Sequence, residues 1–324
     1  MIHNPVAFIV FNRPEHTQQT FAVLRKNRPS KLFIIADGPR SNHPTDIENC
    51  EAVRAIVNNI DWPCEVHRNY ADKNLGLKSR VSSGLNWVFE RVETAIILED
   101  DCLAHSDFFR FCDSLLERYV NDPKVAVITG NNFQNGQPRG SASYYFSKYS
   151  HCWGWATWRR SWQYYQGDLF FWPVLKNSDT WKKMVPDKIE SNYWSRIFDN
   201  VYSNRINSSW AYPWLCCVWF NQGLTATPNV NLVSNIGFGE NSTHTSSNES
   251  PWSQMSTNSM SAEIIHPYLI IQDITADEYT FNTHYGGNYQ RFPRNLLLFS
   301  SRVSGFIRRR LNNFFQHLMK EHNK

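Results

Sequence analysis

The stretch AIILEDDC, residues 95–102, sets Glu99, Asp100 and Asp101 side by side directly behind four apolar residues. Adjacent carboxylates repel one another, so the end of a buried strand is a poor place for them unless a positive charge sits there. A divalent ion is one such charge. Mg2+ and Mn2+ prefer oxygen ligands and are often held by one or two carboxylates plus substrate phosphates. Such an ion also neutralises a departing diphosphate. An acidic run taken alone fits a solvated strand end as well, so its position and its company decide.

The elements around it are those of an α/β protein. Apolar runs at residues 6–11, 32–36, 95–98 and 125–129 have the length of buried strands, and a further strand is expected near residues 64–67. Helical periodicity covers residues 15–26, 46–58, 78–91 and 106–119, with Ser106 available as a cap. Strands alternating with helices imply a parallel or mixed sheet flanked by helices, and ligands of such sheets bind beyond the carboxyl ends of the strands. Asn12-Arg13, the turn from Asp37 to Arg40, and the acids at 99–101 each follow a strand directly. Three polar clusters on one sheet edge point to a site there.

The second half has a different composition. HCWGWATWRRSW, FFWPV, NYWSRIF and SSWAYPWLCCVWF follow one another, an aromatic density that fills a core or paves a site for sugar rings. Residues 240–262 form a long polar loop. The seven cysteines are odd in number and show neither CxxC nor zinc-ligand spacing, so the expectation is buried thiols such as Cys216 and Cys217. From residue 291 onward there are eight Lys/Arg against one Asp/Glu, leaving 25 basic against 28 acidic residues before it. The body is therefore slightly acidic, which argues against nucleic acid as a partner. The tail, with Phe299, Val303, Phe306, Ile307, Leu311, Phe314 and Leu318 near helical spacing, reads as a basic amphipathic helix suited to an anionic membrane surface. With no signal peptide and no membrane-spanning run, the expected location is the cytoplasm, peripheral at the inner face of the membrane.

FIVFNRPEHT, IIADGPR, NLGLKSRV, IILEDDC and WGWATWRRSW together resemble a bacterial glycosyltransferase of the GT-A fold, family-2-like. LEDD is also similar to the metal motif of N-acetylglucosaminyltransferase I. The likeness covers roughly residues 5–245. It implies a Rossmann-like mixed sheet whose nucleotide-sugar half spans residues 1–130 and whose acceptor half spans 131–290, with residues 291–324 as the tail. It further implies a UDP-sugar donor, Mn2+ or Mg2+, inversion at the anomeric carbon, and a bacterial surface glycan or lipid-linked acceptor. By the same likeness Phe11, Asn12 and Arg13 form the nucleotide-entry segment, and Asp37 holds the uracil or ribose. Lys78 or Arg80 reaches the base or phosphates. Asp101 ligates the metal, supported by Glu99 and Asp100, and His244 completes the coordination. Trp153-Gly154-Trp155 is the loop that approaches the donor sugar.

One position departs from the pattern. Inverting transferases need a general base for the acceptor hydroxyl. The resemblance places an acid inside SSWAYPW, where this chain has Ala211. Either the alanine disarms the enzyme, or Asp199, Glu190 or Glu240 supplies the base, or the protein binds without transferring. A glycan-binding protein on this fold is thus one alternative. A sugar nucleotidyltransferase is another, disfavoured because FNRPEHT lacks the glycine-rich loop such enzymes carry after the first strand.

Overall fold

The computed structural model describes residues 2–238 and 252–292. Among them, ten strands run as β1 Val6–Val10, β2 Lys31–Ala36, β3 Glu65–Tyr70, β4 Thr94–Glu99, β5 Cys102–Ala104, β6 Val125–Thr129, β7 Tyr144–Ser147, β8 Trp155–Trp158, β9 Leu224–Pro228 and β10 Val233–Asn235. The helices are α1 Pro14–Asn27, α2 Asp46–Asn58, α3 Leu77–Phe89, α4 Ser106–Arg118, α5 Arg159–Trp162, α6 Trp172–Lys176, α7 Asp179–Met184, α8 Lys188–Tyr202, α9 Ala211–Phe220, α10 Ile274–Thr283 and α11 Gly287–Gln290.

Eight strands make one sheet in the order β3-β2-β1-β4-β8-β6-β9-β7. The first four are parallel, and β8 runs antiparallel between β4 and β6. This is the mixed α/β architecture expected from the sequence, consistent with a GT-A fold. The alternation of strand side chains sorts the core onto two faces. Phe8 and Val10 pack with Phe21 of α1, Val53 of α2 and Phe108 of α4. Ala7 and Ile9 point the other way, toward Val81 and Leu85 of α3, Trp194 of α8 and Trp214 of α9. Because β8 comes from the second half and lies in the middle of the sheet, the two halves share one sheet.

Local chemistry explains the element ends. Pro14 opens α1, where its missing N–H loses nothing, and Arg28 closes it in the left-handed conformation. At α4 the cap is His105 instead of Ser106: its ring accepts from the Asp107 amide at 3.2 Å. Most of the tryptophans answer to packing. Trp155, Trp158, Trp172, Trp194, Trp214 and Trp219 are all fully buried. All seven cysteines are free thiols. No helix among the described residues is long and apolar enough to cross a membrane. The basic tail from residue 293 lies outside the described residues.

Candidate functional site

Strand pairing assembles the acidic cluster and its partner. β1 runs parallel beside β4 with Ile9 opposite Glu99, so the residues leaving β1 arrive over the acids leaving β4. Arg13 arrives there. Its Nη2 donates to Asp100 Oδ1 and, at 3.0 Å, to Asp101 Oδ2. The positive charge the acids require is therefore supplied within the chain. The segment after β10 closes over the pair. The Ile236 amide donates to the Asp101 carbonyl at 2.9 Å, and a Cβ on Gly237 would overlap the Asp101 carboxylate and lie 2.8 Å from Arg13 Nη1.

One guanidinium does not satisfy three carboxylates. Burial, with Asp101 and Asp100 nearby, pushes Glu99 up to about 8. Asp100 is raised to about 6, by burial first, against the pull of Arg13. Burial also opposes the charge on Arg13, yet attraction to Asp100 and Asp101 raises its pKa further. Asp100 Oδ2 is buried with no hydrogen-bond partner. The sign of the linkage follows. Folded Glu99 and Asp100 hold protons that the unfolded chain releases, so their stabilising contribution is complete below the ordinary carboxylate range and is lost as pH rises toward 8. In the presence of EDTA the melting temperature should therefore fall between pH 5 and 8. Glu99→Gln should flatten that fall; an equally steep profile in the variant would remove Glu99 as its source.

Glu99 and Asp101 open onto a cavity of about 400 Å³, also lined by Arg13, Asn131, Phe133, His151, Cys152, Trp153, Trp210, Ala211, Tyr212, His284 and Tyr285. The acids, Trp153 and position 211 thus share one chamber. Ala211 reaches it as the first residue of α9, a helix otherwise buried along Pro213–Trp219. Trp153 is set by its amide, which donates to Asn131 Oδ1 at 3.1 Å, and by Gly154. Gly154 has φ +71°, and a Cβ there would meet Val233 Cγ2 at 2.7 Å. Left-handed backbone and overpacking each cost an L residue about 1–3 kcal/mol. Gly154→Ala should therefore lower unfolding stability by about 2–4 kcal/mol, read in urea; a change under about 0.5 kcal/mol would refute the tight fit.

Several expected site residues are held elsewhere. Trp155 follows Trp153 but points into the core, stacked on Trp210 at 5.4 Å, so it has no surface to offer a sugar. Asp37 accepts from the amides of Gly38, Leu75 and Gly76 and from Asn74 Nδ2, which ties the NLGL loop to the end of β2. Arg80 is buried, with its guanidinium on the Asn69 carbonyl and side chain. Burial lowers the Lys78 pKa, and Lys78 packs by Gly167, away from the cavity. Asn12 donates to Asp46 Oδ1 at 2.7 Å, and Arg40 grips the same carboxylate while lying over the Phe11 ring. These contacts form a neighbouring cluster on the same sheet edge. Asp46, unnoticed in the sequence, organises that cluster, and the Arg40 hydrogen bond holds its pKa well below the usual carboxylate range.

The alternative bases fare differently. Asp199 pairs with Lys176 at 2.7 Å and accepts from Trp172 Nε1, outside the cavity. Glu190 is buried against Lys148 and the Tyr149 hydroxyl, a structural pair. Glu240 and His244 lie outside the described residues. Two cavity residues had no sequence signal beyond being lone histidines: His151 and His284.

The donor set fits a hard divalent ion. Glu99 and Asp101 line an open chamber, and Asp100 Oδ2 has no hydrogen-bond partner, so Arg13 leaves acceptor capacity over. Among the described residues no group of three or more His, Cys, Asp or Glu is arranged to hold a metal ion, so the protein would supply one or two carboxylates here. Mg2+ and Mn2+ take one or two carboxylates and complete their shell with phosphate and water.

No protein-family model matches the chain, and no curated protein is similar enough to count as a relative. Solved structures with partial likeness include a mannosyltransferase from Pyrobaculum calidifontis in complex with GDP-Man and Mn2+, 15% identical over 49% of this chain and 45% of that one, TM-score 0.34. Another is the 4-diphosphocytidyl-2C-methyl-D-erythritol synthase of Anaerococcus prevotii, 8% identical over 49% of this chain and 73% of that one, TM-score 0.31. A third is HddC from Yersinia pseudotuberculosis complexed with GMP-PN, 5% identical over 48% and 77%, TM-score 0.29. Likeness at this level carries no inference about what this chain binds.

Proposed function

We propose that the protein is a metal-dependent glycosyltransferase that moves a sugar from a UDP-sugar, with inversion, to a bacterial surface glycan or lipid-linked acceptor. The observation that carries the reading is the shared chamber, lined by two carboxylates, several aromatic rings and position 211. Asp101 is the ligand for Mn2+ or Mg2+, with Glu99 and Asp100 beside it and Arg13 setting the carboxylate orientations. When bound, the ion supplies positive charge for the leaving diphosphate. Trp153 packs against the donor sugar. The acceptor oxygen attacks the anomeric carbon on the side opposite the diphosphate, which gives inversion.

Calorimetric titration tests this directly. UDP and a panel of UDP-sugars, with GDP-Man as the contrasting nucleotide, are titrated with Mn2+ and again with EDTA. Binding of a UDP compound that disappears with EDTA is expected. A folded protein that binds no nucleotide would overturn the reading and leave a glycan-binding role for the aromatic chamber, which Ala211 would also suit.

A further inference from the structure

We infer that His284 is the general base that replaces the missing acid at position 211; the inference rests on the transferase reading above. It begins with which cavity groups can take a proton. Burial holds the Cys152 thiol and the Tyr285 and Tyr212 hydroxyls in their protonated forms, far above neutral for Cys152 and Tyr285. Glu99 and Asp101 belong to the metal and donor wall. Arg13 carries no lone pair for the purpose. Among the described residues two imidazoles remain, His151 and His284, with ring centroids 5.6 Å apart.

Geometry separates them. His151 is only 8% exposed, set edge-on to Phe133 at 4.5 Å and stacked with Tyr149 and Tyr285. His284 is more open and lies flat on Phe133 at 3.9 Å, with its Nδ1 buried and without a hydrogen-bond partner. It also caps the carboxyl end of α10, its amide donating to the Thr280 carbonyl at 2.9 Å. A helix carboxyl end stabilises a cation, and so favours the imidazolium a base becomes. Burial lowers the His284 pKa to about 3, so the ring is neutral and carries a lone pair. A bound sugar diphosphate brings negative charge into the same chamber and shifts that equilibrium upward, toward the range a working base needs.

The step balances simply. The hydroxyl oxygen of the acceptor, or of water, forms the bond to the anomeric carbon, and its proton passes to the imidazole. The carbon–oxygen bond to the diphosphate breaks, and the leaving group keeps the electron pair.

The test uses the full chain and water as acceptor, measuring UDP release from the UDP-sugar panel with Mn2+. Four proteins are compared: wild type, His284→Gln, Ala211→Asp and the double variant. His284→Gln should lose about 10²–10⁴-fold in kcat while calorimetry finds donor affinity unchanged. The double variant, with an acid restored at the first turn of α9, should recover at least tenfold. A merely structural role for His284 predicts no such rescue. Unchanged turnover in His284→Gln overturns the inference, and so does a loss that Ala211→Asp fails to recover. Wild type that binds donor without turnover, beside an Ala211→Asp variant that does turn over, also overturns it. Failure of every protein to bind nucleotide would instead strike the transferase reading itself.

Discussion

Asp101→Asn is expected to lower Mn2+-dependent affinity for the nucleotide at least about 100-fold while leaving the fold intact. The magnitude follows from comparison with residues that only support a metal ligand, whose loss already costs about 10- to 100-fold. An amide keeps the shape but gives up the charge that draws a divalent ion from water. Asp101 also contributes to holding Glu99 protonated, second only to burial. Neutralising it relieves repulsion, and Arg13 retains its bond to Asp100. Thermal stability in EDTA should therefore hold or rise, even as binding collapses. That pairing of outcomes is diagnostic, because a misfolded variant would lose both. Affinity unchanged within a factor of about three would mean that the metal, if bound, is held without Asp101.

The parts of the molecule visible in the sequence are those governed by local pattern. The strands at β1, β2, β4 and β6 show as apolar runs, and α1 to α4 show as periodic stretches; no helix bound differs from the pattern by more than two residues. The placement of acids and arginine at strand ends followed from alternation alone. What did not show was the sheet's centre. WATW carries no alternation that marks a strand, because β8 lies inside the sheet between β4 and β6 and is buried on both faces. Trp153 and Trp155 likewise look equivalent in the sequence, but Trp153 precedes β8 and the left-handed Gly154 lies between them, so one lines the cavity and the other is buried in the core. Asp37 looks like a ligand-binding acid because a turn-anchoring carboxylate and a ligand-binding one have the same surroundings in sequence. Only the four donors around it distinguish the two. His151 and His284, 133 residues apart, meet through the packing of α10 against β7 and the turn that follows α10. No spacing rule could have joined them.

The cation that sequence reasoning sought at the acidic cluster has a resident counterpart, and this sets the second expectation. Arg13→Met keeps the aliphatic bulk and removes the only basic group ion-paired to Asp100 or Asp101 among the described residues. Leaving a buried carboxylate unpaired costs about 3–5 kcal/mol. The loss should be largest near pH 8 and shrink toward pH 5. Asp100, already raised to about 6 with the guanidinium present, takes up a proton more readily without it, and the protonated acid has no charge to compensate. A group whose pKa is raised by folding stabilises the native state at low pH and stops doing so as pH rises through that value. Mn2+ should recover part of the lost stability in the variant, since an ion bound at Asp101 meets the same negative charge. Denaturant unfolding at pH 5 and pH 8, with and without Mn2+, decides the matter. A deficit equal at both pH values would mean that Arg13 stabilises by packing and not by charge. A deficit that Mn2+ leaves untouched would mean that ion and guanidinium do not serve the same carboxylates, and Asp101 would then have to be given up as the metal's anchor.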